Sequence, residues 1–197
     1  MRNRAACDSS HHGVGLAMAS RLAHHELLLA LTVGFVMCRH RARFTVAESC
    51  TGGLVNHWLT TIPGSSHWFD GGVVSYSNAM KTSILGVRPA TLHLHGAVSA
   101  PTAAEMAEGM RRAHRKALAE PGAHVPEALF SAAITGVAGP SGGSPEKPVG
   151  LVYFAWAGPA GVQTTCKKFA GTRSSVQAQS AEFVLTELVS RVIRSWA

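Results

Sequence analysis

The chain has 197 residues, 46% of them hydrophobic and 15% charged, which suits one ordinary soluble domain around a single core and leaves no room for long disordered tails. Its formal net charge of +7 would attract nucleic acid or anionic lipid without specificity. The basic residues are scattered, however, apart from R-H-R-A-R at 39–43 and R-R-A-H-R-K at 111–116; the latter ends an expected helix, where cations complement the dipole, so it reads as a solvated face and no specific nucleic-acid partner is expected.

Residues 1–17 are polar and glycine-containing, and are expected to form a poorly ordered extension upstream of a start at Met18, with 18–197 as the single domain. A buried helix follows over about 20–40. Its apolar stretch, 27–38, falls far short of the roughly 20 residues needed to cross a bilayer, and it runs into Arg39, His40, Arg41 and Arg43 rather than a cleavage pattern. No membrane association is expected. Strands are expected at 43–48, 72–76, 129–135, 149–157 and 162–169, and helices at 52–61, 78–86, 99–118 and 174–195. In the third of these helices Ala103, Met106, Ala107 and Met110 recur at helical spacing behind a Ser99 cap; in the last, Ala181, Leu185, Leu188 and Val192 form the apolar stripe. Such alternation implies an α/β fold with a sheet covered on both faces. The connection A-G-P-A-G at 157–161 is too short for a parallel crossover, so the last two strands must be antiparallel and the sheet mixed.

Cys7, Cys38, Cys50 and Cys166 form no C-x-x-C pair and read as reduced, mostly buried thiols of a cytoplasmic protein. The histidines include adjacent pairs at 11–12 and 24–25, with His93 and His95 in an expected loop; without H-x-x-x-H spacing beside carboxylates, no metal is expected.

The most informative segment is T-V-A-E-S-C-T-G-G at 45–53: a β-branched run, a sharp turn and then a helical pattern at Leu54, Val55, Trp58 and Leu59. Ser49 at that turn is either a nucleophile beside free helix-end amides or a plain N-cap. Cys50 is a competing nucleophile, being a thiol whose pKa the same helix end would lower. Lys81 lies in the first turn of the helix expected from 78, where the dipole and any burial push its pKa down, so it is either a base or a surface lysine. Tyr76 closes a strand five residues earlier. The glycines of T-G-V-A-G-P-S-G-G at 135–143 would let backbone amides approach a phosphate, but the loop lacks the Lys-Ser/Thr ending of a triphosphate loop.

A-E-S-C-T-G-G (47–53), P-G-S-S (63–66), G-G-V-V-S-Y-S-N-A-M-K (71–81), L-G-V (85–87), H-G-A-V-S (95–99), T-G-V-A-G-P-S-G-G (135–143) and P-E-K-P-V-G (145–150) occur in this order. The ordered set resembles the C-terminal domain family of the competence/damage-inducible protein CinA. The resemblance implies a three-layer α/β/α domain with a five-stranded mixed sheet, a homodimer and no cofactor. It also implies hydrolysis of nicotinamide mononucleotide (NMN) to nicotinate mononucleotide and ammonia, in pyridine nucleotide recycling. It carries over Ser49 as nucleophile, Lys81 as general base and Tyr76 as proton relay or orienting group, with substrate contacts at Thr51, Gly52, Gly53, Asn78, Thr135, Gly136, Gly139 and Arg173. Departures stand at Thr172 and Ser141, where the family usually has acidic residues, and at Gln177, where a basic one is expected. They leave open an alternative, a non-catalytic nucleotide-binding or competence-associated regulatory module.

Overall fold

A computed structural model describes residues 12–119 and 126–196, with side chains from His24 onward. Of the expected extension, residues 1–11 lie outside the described part, Cys7 among them; helix α1 (His12–Arg39) begins beyond them. Strand β1 (Ala42–Glu48) leads through the turn at Ser49 into α2 (Leu54–Thr60), and β2 (Phe69–Val74) into α3 (Asn78–Leu85). A short α4 (Pro89–His95) precedes α5 (Ala100–Ala117); then come β3 (Ala128–Gly136), β4 (Leu151–Gly158), β5 (Gly161–Lys168) and α6 (Arg173–Arg194).

The five strands form one mixed sheet in the order β2-β1-β3-β4-β5. β1 runs parallel to both neighbours, and β4 is antiparallel to β3 and β5, closing on β5 at the Gly158–Gly161 turn. Period-two alternation assigns each strand residue to a face. Phe44, Val46, Phe130, Ile134, Phe154 and Trp156 enter one core with α1, α2 and α6, whereas Ala47, Ala133, Ala155 and Ala157 enter the other with α5. The two faces thus divide by size. Alanines on the α5 side let Ala103, Met106, Ala107 and Met110 sit directly on the strands, and Gly109 completes the fit: a Cβ there would come within 1.8 Å of the Leu85 carbonyl oxygen of α3. Ser99 caps α5 by accepting from the Thr102 amide, as its sequence predicts.

Three expectations are corrected. His93 and His95 lie in the last turn of α4, a helix of seven residues with no side-chain cap to announce it. R-R-A-H-R-K is not a wholly solvated face: Arg111 donates to the Gly158 carbonyl at 2.8 Å, and His114 is buried with Nε2 2.6 Å from Asp70 Oδ2. Of the described cysteines only Cys50 is buried; Cys38 and Cys166 are exposed. Among the described residues no helix is long and apolar enough to cross a membrane.

Candidate active site

β1, β2 and β3 point their C-terminal ends the same way, and a cleft of about 280 Å³ opens beyond them. Ser49, Tyr76, Lys81, Thr135, Gly136, Gly139 and Arg173 all line it, with Cys50, Ser141 and the Ala97-Val98 turn. Thr51, Gly52, Gly53 and Asn78 lie outside that lining.

Lys81 is 1% exposed, and its Nζ lies 3.0 Å from Ser49 Oγ, 2.7 Å from the Ser75 carbonyl oxygen and 3.3 Å from that of Tyr76. The lysine reaches this point from the fourth residue of α3, behind a Ser77 cap that accepts from the Met80 amide. Among the described residues no carboxylate pairs with it. Burial therefore holds its pKa below the ordinary lysine value of 10.5, and charge on nearby Cys50 opposes the shift. Nζ donates to both carbonyls and to Ser49 Oγ; in the neutral amine, two N–H groups would suffice for the carbonyls and leave the lone pair for the Ser49 hydroxyl proton.

Ser49 does not cap α2. That task falls to Glu48, fully buried one residue earlier: its Oε2 accepts from the amides of Gly53 (2.9 Å) and Val55 (3.3 Å), and its Oε1 from the Asn56 amide (2.9 Å) and Asn56 Nδ2 (2.7 Å). The start of α2 is thus closed to an oxyanion or phosphate, which corrects the expectation that its amides are free. Gly52 and Gly53 instead serve the turn, at φ of 65° and 101°, a left-handed backbone that glycine adopts without strain. The Gly52 amide donates to the Ser49 carbonyl at 3.1 Å.

The helix end does not activate Cys50. Burial pushes the thiol up to about 12; its own backbone hydrogen bond opposes, the Glu48 charge adds to the rise, and Lys81 and Arg173 counter it weakly. A serine with an amine at 3.0 Å is better prepared to attack than this thiol.

Tyr76 does not bridge Lys81 and Ser49 through its phenol. Its carbonyl holds the amine, while its exposed ring turns away so that Oη accepts from Arg173 Nη2 at 2.9 Å. Arg173, at the start of α6, also donates to the Gly139 carbonyl at 2.8 Å, and no carboxylate offsets its charge among the described residues. Thr135 Oγ1 is committed to the Ala97 carbonyl at 2.7 Å, and Asn78 is exposed at the head of α3. The glycine loop is shaped by its own packing: a Cβ on Gly139 would come within 2.5 Å of Val149 Cγ1, and one on Gly136 within 2.7 Å of the Leu151 carbonyl oxygen.

The departures have local consequences. Thr172 caps α6 by accepting from the Ser175 amide, work an aspartate would do equally. Gln177 donates to the Cys50 carbonyl at 2.8 Å, pinning the nucleophile turn to α6. Glu48 and Gln177 hold the turn that carries Ser49, which sequence reasoning missed or misjudged; a glutamate between a strand and a glycine pair was the available signal. Among the described residues no group of three or more His, Cys, Asp or Glu is placed to hold a metal ion.

A family model described as the CinA C-terminal domain matches residues 28–192. The nicotinamide-nucleotide amidohydrolase PncC of Escherichia coli (strain K12) is 42% identical over 168 residues, 85% of this chain and 94% of that protein. A CinA-like protein of Anaeromyxobacter dehalogenans (strain 2CP-1) is 48% identical over 139 residues, 71% of this chain; the match spans 31% of that longer protein. Among solved structures, a competence-damaged protein superfamily member from Klebsiella pneumoniae superposes with a TM-score of 0.76 at 32% identity, covering 86% of this chain and 98% of the other. A competence/damage inducible protein from Agrobacterium tumefaciens gives 0.74 at 36% identity, covering 84% and 94%.

Proposed function

The chain belongs to the CinA C-terminal domain family, and on that premise we propose that it is a nicotinamide-nucleotide amidohydrolase that converts NMN and water to nicotinate mononucleotide and ammonia. The observation that carries the reading is the buried, carboxylate-free Lys81 amine 3.0 Å from Ser49 Oγ. The name of the E. coli relative, matched over 94% of its length, supplies the substrate class.

Neutral Lys81 takes the Ser49 proton as Oγ attacks the carboxamide carbon. The resulting oxyanion meets the amide of Cys50, which lines the cleft and which neither Glu48 nor the carbonyls of Ser49 and Thr51 take up. Lys81 then gives its proton to the departing nitrogen, the C–N bond breaks, and ammonia leaves an ester on Ser49. Water attacks that ester with Lys81 again as base, releasing the carboxylate and restoring the serine. Arg173, without a carboxylate partner, meets the substrate phosphate, and Tyr76 orients that guanidinium rather than relaying a proton. We assign the exposed stripe of Leu27, Leu28, Leu31 and Phe35 on α1 to a second copy of the chain; a monomer at all concentrations in sedimentation equilibrium would refute that assignment.

The test is a coupled ammonia assay with NMN, nicotinamide riboside and glutamine side by side. Release from NMN well above the other two is expected. Binding of NMN without ammonia release would replace the enzyme with a regulatory nucleotide-binding module.

A further inference from the structure

Glu48 takes no part in the proton transfers above, yet it is the most heavily bonded side chain of the site. A carboxylate with no exposed surface is costly unless its lone pairs are filled. Here four N–H donors fill them, the amides of Gly53, Val55 and Asn56 and the side-chain Nδ2 of Asn56. The neighbourhood is shaped to admit the fourth: Gly72 of β2 has no Cβ, and one built there would stand 2.7 Å from Asn56 Nδ2.

The backbone of the same residue faces the other half of the site. The Glu48 carbonyl accepts from the Ser75 amide at 2.8 Å, and the Ser75 carbonyl in turn accepts from Lys81 Nζ at 2.7 Å. Ser49 therefore lies between two fixed points. Its C-terminal side is clamped through the Glu48 carboxylate to α2, and its N-terminal side is tied through the Glu48 carbonyl to the loop that holds the amine. Without the carboxylate, the turn from Ser49 to Gly53, built on two left-handed glycines, has no side chain to fix it to the helix.

We infer that Glu48 is a positioning residue, whose buried carboxylate fixes the Ser49 turn against α2 and so sets the Ser49–Lys81 contact required for attack. It touches neither substrate nor reacting atoms; it acts through Ser49. In its kinetic part the inference rests on the amidohydrolase reading.

Two readouts separate the inference from that reading. The first is sulfonylation of Ser49 by phenylmethylsulfonyl fluoride, located by peptide mass spectrometry: Oγ displaces fluoride while Lys81 takes the proton, so the rate reports nucleophile alignment without any nucleotide. The second is NMN turnover with its pH profile. Glu48→Gln keeps the shape but sets an amide N–H₂ against backbone donors. Sulfonylation and kcat should both fall about a hundredfold, the scale of an ångström of misplacement. KM should stay within about twofold, and the midpoint of the kcat/KM profile should not move, because the Lys81 surroundings are intact. A merely structural role predicts the opposite split, with raised KM and a midpoint drifting up toward ordinary lysine as water reaches the amine. If Glu48→Gln does not fold, Asn56→Ala reads the same link by removing one donor to Oε1 and leaving the three backbone bonds; a drop of about fivefold in sulfonylation is expected with Tm little changed. Parental sulfonylation in a folded Glu48→Gln, or in Asn56→Ala where the first variant fails, overturns the inference. A parent that sulfonylates at Ser49 but releases no ammonia overturns the amidohydrolase reading and leaves this one standing.

Discussion

Replacing Lys81 by arginine makes the positive charge permanent and removes the base. In the parent the amine is 1% exposed and has three oxygen partners within 3.3 Å, one of them Ser49 Oγ. An arginine guanidinium stays protonated across the accessible pH range and has no lone pair to offer Ser49. General-base catalysis contributes roughly 10²–10⁴ in rate, and at 1.36 kcal/mol per tenfold the loss amounts to about 3–5 kcal/mol of transition-state stabilisation. Lys81→Arg should therefore lose kcat about as badly as Lys81→Ala, with NMN affinity much less affected, in a coupled ammonia assay under saturating substrate. The pH dependence has a fixed sign. Because burial lowers the lysine pKa below 10.5, parental kcat/KM should rise with pH and level off before that value. Between the lowered pKa and the ordinary one the unfolded chain binds more protons than the folded one, so stability should also rise with pH across that window, and Lys81→Met should abolish that slope. A Lys81→Arg enzyme with near-parental kcat, or a flat kcat/KM profile from neutral pH upward, would remove Lys81 from proton transfer and with it the mechanism proposed above.

Ser49→Ala should lose nearly all turnover while Cys50→Ser keeps most of it, because a thiol pushed up to about 12 is almost wholly protonated near neutral pH; the reverse pattern in the same assay would move the attack to sulfur. Arg173→Ala should raise KM for NMN roughly ten- to hundredfold and leave the riboside unchanged, the scale of one lost charge-assisted contact; equal effects on both would take the phosphate away from Arg173. Asp70 connects Arg43 of β1 to His114 of α5: desolvation raises its pKa, but hydrogen bonds from His114 and Arg43 outweigh this and hold it at about 2. Its contribution is thus present above pH 4 and lost as pH falls toward 2, so Asp70→Asn should cost about 1–3 kcal/mol at neutral pH and flatten the acid limb of a denaturation series; an unchanged acid limb would refute this.

The legible parts of this chain were those whose physics is local. Ser99 before a stripe at helical spacing announces α5, and a five-residue A-G-P-A-G connection forces an antiparallel pair whatever the rest of the chain does. What escaped depends on partners distant in sequence. The strand expected at 72–76 is β2 at Phe69–Val74, three residues earlier at its start, because Phe44 and Val46 of β1 pair with Phe69 and Gly72. His114 looks like one cation in a basic run until β2 supplies Asp70. The Ser49 ambiguity has the same root. A hydroxyl ahead of a helix is ordinarily its cap, and only the fold reveals that Glu48 has taken that place and left the hydroxyl free for Lys81.

That substitution of cap also bears on how charge is distributed in the cleft, and so on the orientation expected of the proposed substrate. If the α2 amides were open, a phosphate would seek them beside Ser49 and hold the carboxamide at the wrong end. Glu48 closes that site with a negative charge of its own. Burial disfavours the charged form of Lys81 as well. The proposed phosphate partner is Arg173, anchored to the Gly139 carbonyl and the Tyr76 phenol and offset by no acid among the described residues. On the proposed reading, an anionic nucleotide would be drawn to the α6 side by its phosphate. In the proposed reaction its far end, the carboxamide on the cationic pyridinium ring, would then lie toward Ser49 and Lys81, whose charged form burial disfavours.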